Sequence, residues 1–434
     1  MRAGSLIAKC VDKGAEYADC TTIAYRKLRV DYAGGQGVVN RSSSTIYVLK
    51  VLWRGRWGVS ASTKLGDEVL DEALKLASTS AAKGVKLAYR RPIQGGYVIR
   101  QKRPITDSDG SDVIDLLSDV SKSLSELCND LQGFRAVVEA TVTTRAMISS
   151  DGVNAYEVKP SVVSCFTAYA KSGETTMLEV FGSGGLEVLE RADPKRIAEE
   201  LAFRLQCAPR AKLLNPLYRG SRFEVVLMPD ASSKAMQTAL GGTLNAKSPR
   251  HLSERGYEGL TVFDDPTLEG GYGSFSFDDE GVKAKRKKLI ESGRVVSLLH
   301  NRETAYLYGV EPTGNGRGLA VPPQPLHGNI VVEPGDWSVE EMVDETKLGF
   351  LVHSAKRSYV VEDLLVIEPE VSFLVVKGEV KEPVKVSWLI IELRKFLSSL
   401  KAVGSGFMGS AREVVFGCEV ASYSPPIKLE MRVS

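Results

Sequence analysis

The chain has 434 residues, of which 43% are hydrophobic and 25% are charged. These values are ordinary for globular proteins, and they exclude a disordered, collagen-like or coiled-coil chain. The 56 Lys and Arg residues nearly balance the 54 Asp and Glu residues, so the net charge of +2 argues against a dedicated nucleic-acid binder. The longest apolar stretches fall short of the roughly 20 residues of a membrane span, and the first residues lack a signal-peptide core. We therefore expect a soluble, cytoplasmic protein without a membrane partner.

The first half of the chain alternates between helical and strand-like patterns. Apolar residues recur at helical spacing in four segments, at 5–18, 66–83, 110–131 and 194–207. Alternating or β-branched runs predict strands at 21–30, 37–43, 45–52, 57–60, 134–148, 153–160, 162–170 and 175–182. We predict an N-terminal α+β domain over residues 1–210, with helices on an antiparallel sheet.

The second half is richer in β-structure. Residues 208–220 contain two prolines and three basic residues and mark the domain boundary that we predict. Strands are predicted at 223–228 and 428–433, with short strands over most of 258–380, and helices at 231–244 and 386–402. The fold class is therefore α+β, with a β-rich, barrel-like domain over residues 211–434.

Histidine and cysteine spacing gives no recognisable metal motif. The six cysteines form no CxxC pair and are typical of reduced, buried thiols. The four histidines, His251, His300, His327 and His353, are separated by 49, 27 and 26 residues. Zinc needs three or four converging N, S or O ligands. Distant residues such as His251, Cys418 and an Asp could assemble one, but separate surface or hydrogen-bonded histidines are favoured.

Two further motifs have simple structural interpretations. GSGFMG at 404–409 fits the dinucleotide fingerprint by letters, but a predicted helix precedes it and a strand follows. A flexible turn is therefore predicted. KAKRKK at 283–288 is the one basic run, and it lacks the interleaved aromatics of a nucleic-acid site. We predict an exposed strand there.

Acidic and glycine-rich segments are the remaining candidates for a site. Asp264 and Asp265 precede a proline, and Asp278, Asp279 and Glu280 precede a glycine. Such residues commonly build turns, because the carboxylate accepts a hydrogen bond from the backbone two residues on. Two such clusters also leave room for one shared polar cleft. The TGNGRG stretch at 313–318, with Thr313 and Asn315, is either a surface hairpin or a place of close backbone approach.

Several segments, in order, resemble the TldD/PmbA family, also called modulators of DNA gyrase. They are GAEYADC (14–20), RGRWGVSAST (54–63), VFDDPTLEGGYGSFSFDDEGV (262–282), LHNRETA (299–305), PTGNGRG (312–318) and VEPGDWSVEEMV (332–343). The resemblance runs from about residue 5 to the C-terminus. It implies one of two kinds of subunit. TldD-type chains are zinc peptidases with an HExxxH helix and a later Cys ligand, whereas PmbA-type (TldE) chains lack the motif and pair with them. The complex degrades unfolded or small peptides.

The HExxxH window identifies this chain as similar to the second kind. Alignment of the strand 224–229 and the next helix puts Gln237 at the first His, Thr238 at the catalytic Glu and Gly242 at the second His. These side chains cannot supply the zinc ligands or the general base. The family's Cys ligand falls at Ala411 or Arg412, so we do not transfer its role to Cys418.

The leading hypothesis is a PmbA/TldE-like subunit that is catalytically silent alone and has no metal or cofactor of its own. Its partner would be a TldD-type peptidase that holds the zinc, and a homodimer is the alternative where no such partner exists. The acidic and TGN segments would form walls of the peptide cleft: Asp264, Asp265, Asp278, Asp279, Glu280, Thr313 and Asn315.

Two other hypotheses remain open from the sequence. One is a self-sufficient metallopeptidase with a rearranged site that uses His251, Asp264, Asp265 or Glu280. The other is a DNA- or gyrase-associated binding protein, which the near-zero net charge disfavours.

Overall fold

The computed structural model describes residues 3–191, 193–247, 252 and 255–434. Helices and strands alternate in its first half, and strands dominate its second half. The α+β fold class and the barrel-like second part are both confirmed.

One long sheet forms the first part of the molecule. Its strands are β1 (Tyr17–Ala33), β2 (Gln36–Trp53), β3 (Arg56–Ser62), β4 (Gln94–Val98), β5 (Leu131–Ser149), β6 (Asn154–Ala170) and β7 (Thr175–Ser183). The strand order is β3-β2-β1-β5-β6, and both β4 and β7 pair with the remaining edge of β6. All pairs are antiparallel except β4 with β6.

Four helices accompany this sheet: α1 (Ala3–Asp12), α2 (Asp67–Thr79), α3 (Ser111–Leu127) and α4 (Pro194–Cys207). The start of α4 follows from its sequence, because Asp193 caps the helix by accepting the Lys195 N–H and Pro194 takes the first helical position. The apolar faces of α3 and α4 share one hydrophobic core with β1, β5 and β6. The four helices predicted from periodicity are confirmed, with shifted ends.

The second part contains many short strands. They are β8 (Lys212–Leu213), β9 (Arg222–Leu227), β10 (Val262–Asp264), β11 (Lys287–Glu291), β12 (Arg294–Val295), β13 (Gly316–Arg317), β14 (Gln324–Pro325), β15 (Asn329–Val332), β16 (Leu348–Val361), β17 (Leu364–Val376), β18 (Glu379–Lys385), β19 (Leu389–Glu392), β20 (Leu400–Val403), β21 (Gly409–Val415), β22 (Cys418–Ser424) and β23 (Ile427–Val433). The helices are α5 (Pro229–Gly241), α6 (Arg302–Tyr308), α7 (Val339–Asp344) and α8 (Phe396–Ser399).

Five of these strands close a barrel. The order β16-β9-β23-β19-β17 returns to its start because β16 also pairs with β17. A second sheet, β12-β11-β10-β15-β22-β21, lies beside it. Apolar residues of both sheets and of α5 share one core. That core begins at Leu214, whereas the core of α3 and α4 ends at Leu205. The predicted boundary between 210 and 211 lies between these residues and stays a prediction.

The prediction of one helix over residues 386–402 is wrong. Leu389–Glu392 is instead the barrel strand β19, and only Phe396–Ser399 is α-helical. β19 pairs with β17 on one side and with β23 on the other. The β-branched Ile390 and Ile391 suit this doubly paired position, and the tertiary pairing overrides the helical spacing of the apolar residues.

Candidate functional site

The helix α5 forms one wall of a cavity. The chain leaves the barrel strand β9 and enters α5 at Pro229, a residue favoured at the first helical position. The cavity has a volume of about 830 Å³, and Gln237, Thr238 and Gly242 all line it. The structure therefore brings the three positions of the altered motif to one cavity. Further lining residues come from other strands and loops: Leu326, His327, Ser358, Tyr359, Ala411, Arg412, Glu413 and Phe416.

A buried histidine contacts the first of these positions. The side-chain Nε2 of Gln237 lies 3.0 Å from the Nε2 of His327. Both side chains are more than nine-tenths buried. Burial lowers the pKa of His327 to about 4, so the ring is neutral at neutral pH. The side-chain amide of Gln237 thus forms a hydrogen bond with Nε2, the imidazole nitrogen that faces α5.

The other two motif positions offer no metal ligand. Thr238 uses its hydroxyl to donate to the Ser358 carbonyl oxygen at 3.2 Å. Gly242 ends the helix and has no side chain. Ala411 and Arg412, the two positions predicted as alternatives for the family's Cys ligand, line the same cavity, and Arg412 pairs with Glu179.

Cys418 does not line this cavity, although it packs against Leu326, which does. Its thiol is buried and donates to an Asp279 carboxylate oxygen at 3.4 Å. Burial, together with the Asp279 charge, raises the pKa of the thiol to about 11. Cys418 is therefore a protonated, structural thiol at neutral pH.

The residues at α5 do not fit a zinc ion. Zinc requires three or four N, S or O donors with free lone pairs. Here the Nε2 of His327 is hydrogen-bonded to Gln237, which leaves Nδ1 as the one nitrogen of this imidazole without a partner in the described part of the chain. Asp230 accepts hydrogen bonds from Lys234 and from the Ala355 N–H. Within the described ranges, no three His, Cys, Asp or Glu side chains are grouped as metal ligands. His251, named in the alternative metal site, lies outside the described residues.

The first acidic pair is buried beside β10. Asp264 accepts hydrogen bonds from Asn315 Nδ2 at 2.7 Å and from the Gly328 N–H at 2.7 Å, and it pairs with Lys287 at 2.9 Å. Burial alone would raise the pKa of Asp264, but the Lys287 ammonium and these hydrogen bonds outweigh burial and lower it. Asp265 forms the predicted turn, accepting the Thr267 N–H at 3.0 Å.

The second acidic cluster holds two loops together. Asp278 accepts the N–H groups of Glu280, Val282 and Gly316 at 2.8–3.0 Å. The turn predicted for this segment is therefore confirmed. In the TGNGRG stretch, Thr313 bonds to Asn315 Oδ1 at 2.8 Å.

Asp279 contacts a strand of the first sheet, whereas Glu280 contacts the start of α6. Asp279 pairs with Arg145 on β5 and accepts the Gly318 N–H at 2.8 Å. Although burial opposes it, the Arg145 charge holds the pKa of Asp279 well below its usual range. Glu280 accepts the Arg302 N–H at 2.7 Å, while its Oε1 has no hydrogen-bond partner among the residues that the structure describes. Burial and the nearby Asp278 raise the pKa of Glu280 to about 8.

These contacts place the predicted cleft residues in buried networks. Asp264, Asp265, Asp278, Asp279, Glu280 and Asn315 are all less than a tenth exposed. None of them, nor Thr313, lines the cavity at α5. Their contact with peptide stays a prediction. The structure instead adds His327 to the candidate site, a residue that no sequence spacing connects to Gln237.

Of the two remaining motifs, GSGFMG agrees with the predicted turn, whereas the exposed strand predicted for KAKRKK is wrong in part, because only Lys287 and Lys288 belong to β11 and Lys287 is buried. The GSGFMG turn is followed by the strand β21, not by a helix. In the basic run, Lys287 is buried against Asp264, and the guanidinium of Arg286 lies 3.8 Å from the Phe263 ring centroid. None of the helices in the described ranges is both long and apolar enough to cross a membrane.

Comparison with known proteins identifies the family. The PmbA/TldA metallopeptidase central domain matches residues 103–207, and the C-terminal domain of the same family matches residues 220–434. A relative from Methanothermobacter thermautotrophicus named "Metalloprotease" is 29% identical, with 93% of this chain and 91% of the relative covered. Another "Metalloprotease", from Archaeoglobus fulgidus, is 27% identical and covers 89% of this chain and 91% of its own.

Solved structures share the whole fold at low identity. TldE from Thermococcus kodakarensis superposes with a TM-score of 0.76 at 17% identity, covering 99% of both chains. A Thermotoga maritima protein described as a modulator of a DNA gyrase gives a TM-score of 0.79 at 18% identity, again with 99% of both chains covered. Both family models and the agreement along the full length lead to one conclusion. The chain belongs to the TldD/PmbA metallopeptidase family.

Proposed function

We propose that this chain is a TldE-like subunit, catalytically silent alone, that supports a TldD-type zinc peptidase in the breakdown of unfolded or small peptides. One observation carries the proposal. The helix that holds the peptidase motif in TldD-type chains lines a cavity here, but Gln237, Thr238 and Gly242 stand at its three functional positions.

The chemistry of these side chains supports a silent site. Metal-assisted peptide hydrolysis needs a bound water activated by the metal and a carboxylate or similar base to take its proton. The Thr238 hydroxyl is a poor base and is hydrogen-bonded to a backbone carbonyl. The amide of Gln237 is bonded to His327, which stays neutral through burial.

The cavity itself supports a role in handling peptides. Its volume of about 830 Å³ lies in the range of pockets that enclose a small molecule or a short peptide segment. Its walls combine apolar groups, such as Val360 and Phe416, with charged groups, such as Lys356 and Glu413. In the proposed complex, this chain shapes or covers the peptide cavity, while the partner supplies zinc and the general base.

A self-sufficient metallopeptidase is the second candidate, because the curated relatives carry the name "Metalloprotease". The two candidates differ in what the isolated chain does. A silent subunit has no peptidase activity without its partner. A self-sufficient enzyme hydrolyses peptides alone and loses that activity when a chelator removes its metal.

Reconstitution distinguishes these candidates. The full chain, a TldD-type chain with an intact HExxxH motif, and the two co-expressed are each assayed on an unfolded peptide substrate. We expect a co-purifying complex that hydrolyses the peptide, and no hydrolysis by this chain alone. A complex in which the partner's motif Glu is replaced by Gln is the control, and it should be inactive. Chelator-sensitive hydrolysis by this chain alone would overturn the proposal.

A further inference from the structure

The strand β4 has one edge that is paired and one that is free. It lies parallel to β6 over five residues, and within the described residues no strand pairs with its other edge. Four of its five residues are exposed, and Val98 is 62% exposed. A free edge presents unpaired N–H and C=O groups, which form a template for another extended chain.

The direction of the hydrogen bonds shows which groups are free. The Ile93 carbonyl accepts the Asn154 N–H at 3.1 Å, and the Ile99 N–H donates to the Val158 carbonyl at 3.0 Å. Successive residues of a strand point their backbone groups to opposite sides. The N–H and C=O groups of Gly96 and Val98 therefore point away from β6.

The chain continues from this edge into a groove. Tyr97 and residues 99–102 line a cavity of about 980 Å³, and Val98, which lies between them in sequence, does not line it. Further lining residues come from 266–270 and from the segment around Phe275. The groove is separate from the cavity at α5, since the two share no lining residue.

Positive charge is in slight excess along the groove, because four Arg and Lys residues, Arg191 among them, line it together with three Glu residues. Arg100, Lys102 and Lys283 are exposed lining residues, and none of them has an ion pair in the described part of the chain. Cationic side chains without ion pairs beside a free strand edge favour the binding of a negatively charged ligand.

The acidic residues of the groove are mostly engaged. Glu187 accepts the N–H groups of Arg103 and Gly185, and Glu190 pairs with Arg103. Glu269 is the remaining exposed carboxylate among the lining residues. The internal bonds of Glu187 and Glu190 leave the three cations free to meet a ligand.

We propose that an extended, acidic peptide segment binds here. It adds as a strand to the free edge of β4, so that its main chain bonds to Gly96 and Val98, and its carboxylates meet Arg100, Lys102 and Lys283. Main-chain bonds to a strand edge provide affinity without a fixed sequence, while the charges select acidic segments. This site goes beyond the proposed function and does not depend on pairing with a zinc peptidase.

The main-chain contribution is tested with Val98→Pro. Proline removes the outward N–H of residue 98 and leaves the β4–β6 ladder in place, and proline is tolerated on edge strands. The probe is a fluorescein-labelled eight-residue peptide of alternating Glu and Val, and its dissociation constant is measured by anisotropy with the full chain. We expect binding about tenfold weaker for Val98→Pro, whereas the control Val98→Ala, which keeps the N–H, changes it less than about twofold.

The charge contribution is tested with Lys283→Glu against Lys285→Glu. Both lysines are exposed in the same basic run, but only Lys283 lines the groove. We expect about tenfold weaker binding for Lys283→Glu and nearly unchanged binding for Lys285→Glu. The proposal would be overturned if the dissociation constant changed equally for Val98→Pro and Val98→Ala, or equally for Lys283→Glu and Lys285→Glu. Equal affinity for a Lys and Val peptide, tighter binding of an eight-nucleotide oligothymidine, or self-association of the chain that Val98→Pro abolishes would also overturn it.

Discussion

Two neighbouring glycines at the end of α5 stand in different surroundings. A Cβ atom at Gly241 would lie 2.7 Å from Cε1 of His327, whereas a Cβ atom at Gly242 would meet no atom of the described residues within 4 Å. Neither glycine has a positive φ, so side-chain space alone separates them. The close approach of the histidine ring to the helix therefore depends on Gly241.

Replacing each of these glycines by alanine should lower the free energy of unfolding by different amounts. Gly241→Ala forces the His327 ring away from α5 and should lower the free energy of unfolding by about 1–3 kcal/mol. Gly242→Ala, the control, should change it by less than about 0.5 kcal/mol. Urea unfolding of both variants measures the difference. Equal losses would mean that the histidine does not pack against the helix in this way.

The pKa of Glu280 predicts a pH dependence of stability. Burial raises this pKa to about 8 from an ordinary value of 4.5. Between these pH values the unfolded chain ionises before the folded chain does, so stability is lost as pH rises through this window. Glu280→Gln removes that loss and can still accept the Arg302 N–H with its amide oxygen.

The free energy of unfolding of Glu280→Gln should therefore rise relative to that of the original chain as pH increases from 4.5 to 8. We expect a relative gain on the order of 1–3 kcal/mol, measured by urea titrations at several pH values. The exposed Glu258→Gln serves as the control and should give a flat difference. A flat difference for Glu280→Gln as well would contradict a buried, protonated carboxyl group.

At the scale of elements, Arg204 links α4 to the second part of the molecule. Its guanidinium is 3% exposed and pairs with Glu200 on α4, with Glu370 on β17 at 2.9 Å and with Asp230 on α5 at 3.7 Å. Removing this buried cation leaves the mostly buried Glu370 without a charge partner in the described part of the chain, which costs more than the pairing itself contributes. By contrast, Glu200 and Asp230 keep hydrogen bonds to His353 and Lys234.

Arg204→Met should lower the free energy of unfolding by about 3–5 kcal/mol. Lys212→Met is the matched control, because Lys212 pairs with Glu382 at the surface, with side chains 70% and 46% exposed. That change should cost less than about 1 kcal/mol. Chemical unfolding of the two variants tests this, and similar costs would show that Arg204 does not join these elements.

The helices and strands show which elements can be predicted from local sequence patterns and which cannot. The helix α4 follows from its Asp-Pro cap and its apolar stripe, both of which are local signals. The strand β19 does not, because its identity depends on barrel partners that are distant in sequence. In β2, the segments predicted at 37–43 and 45–52 are one strand, because pairing with β1 continues through Ser42, Ser43 and Ser44.

The same distinction applies to the candidate site. Gln237, Thr238 and Gly242 are recognisable from one short window, and the structure places all three on one cavity. The contact between Gln237 and His327 joins residues that are 90 positions apart, and no local pattern reports it. From the sequence, the Asp and Glu clusters predict either turns or a cleft. Only the folded structure shows that most of these carboxylates accept hydrogen bonds from neighbouring loops.

At the scale of the whole molecule, the chain keeps the fold of its structural relatives over the full length. In the function that we propose, a silent subunit therefore differs from a peptidase in a few side chains at α5. The donor set at Gln237, Thr238, Gly242 and His327 contains one imidazole, whose Nε2 is already hydrogen-bonded.

The most direct test is the metal content of the purified full chain, determined by elemental analysis after dialysis against chelator-free buffer. We expect about zero zinc per chain, because the described residues at α5 do not provide three donors. The same value is expected for His327→Ala. Close to one zinc per chain would contradict the proposed silent subunit and would favour the self-sufficient metallopeptidase.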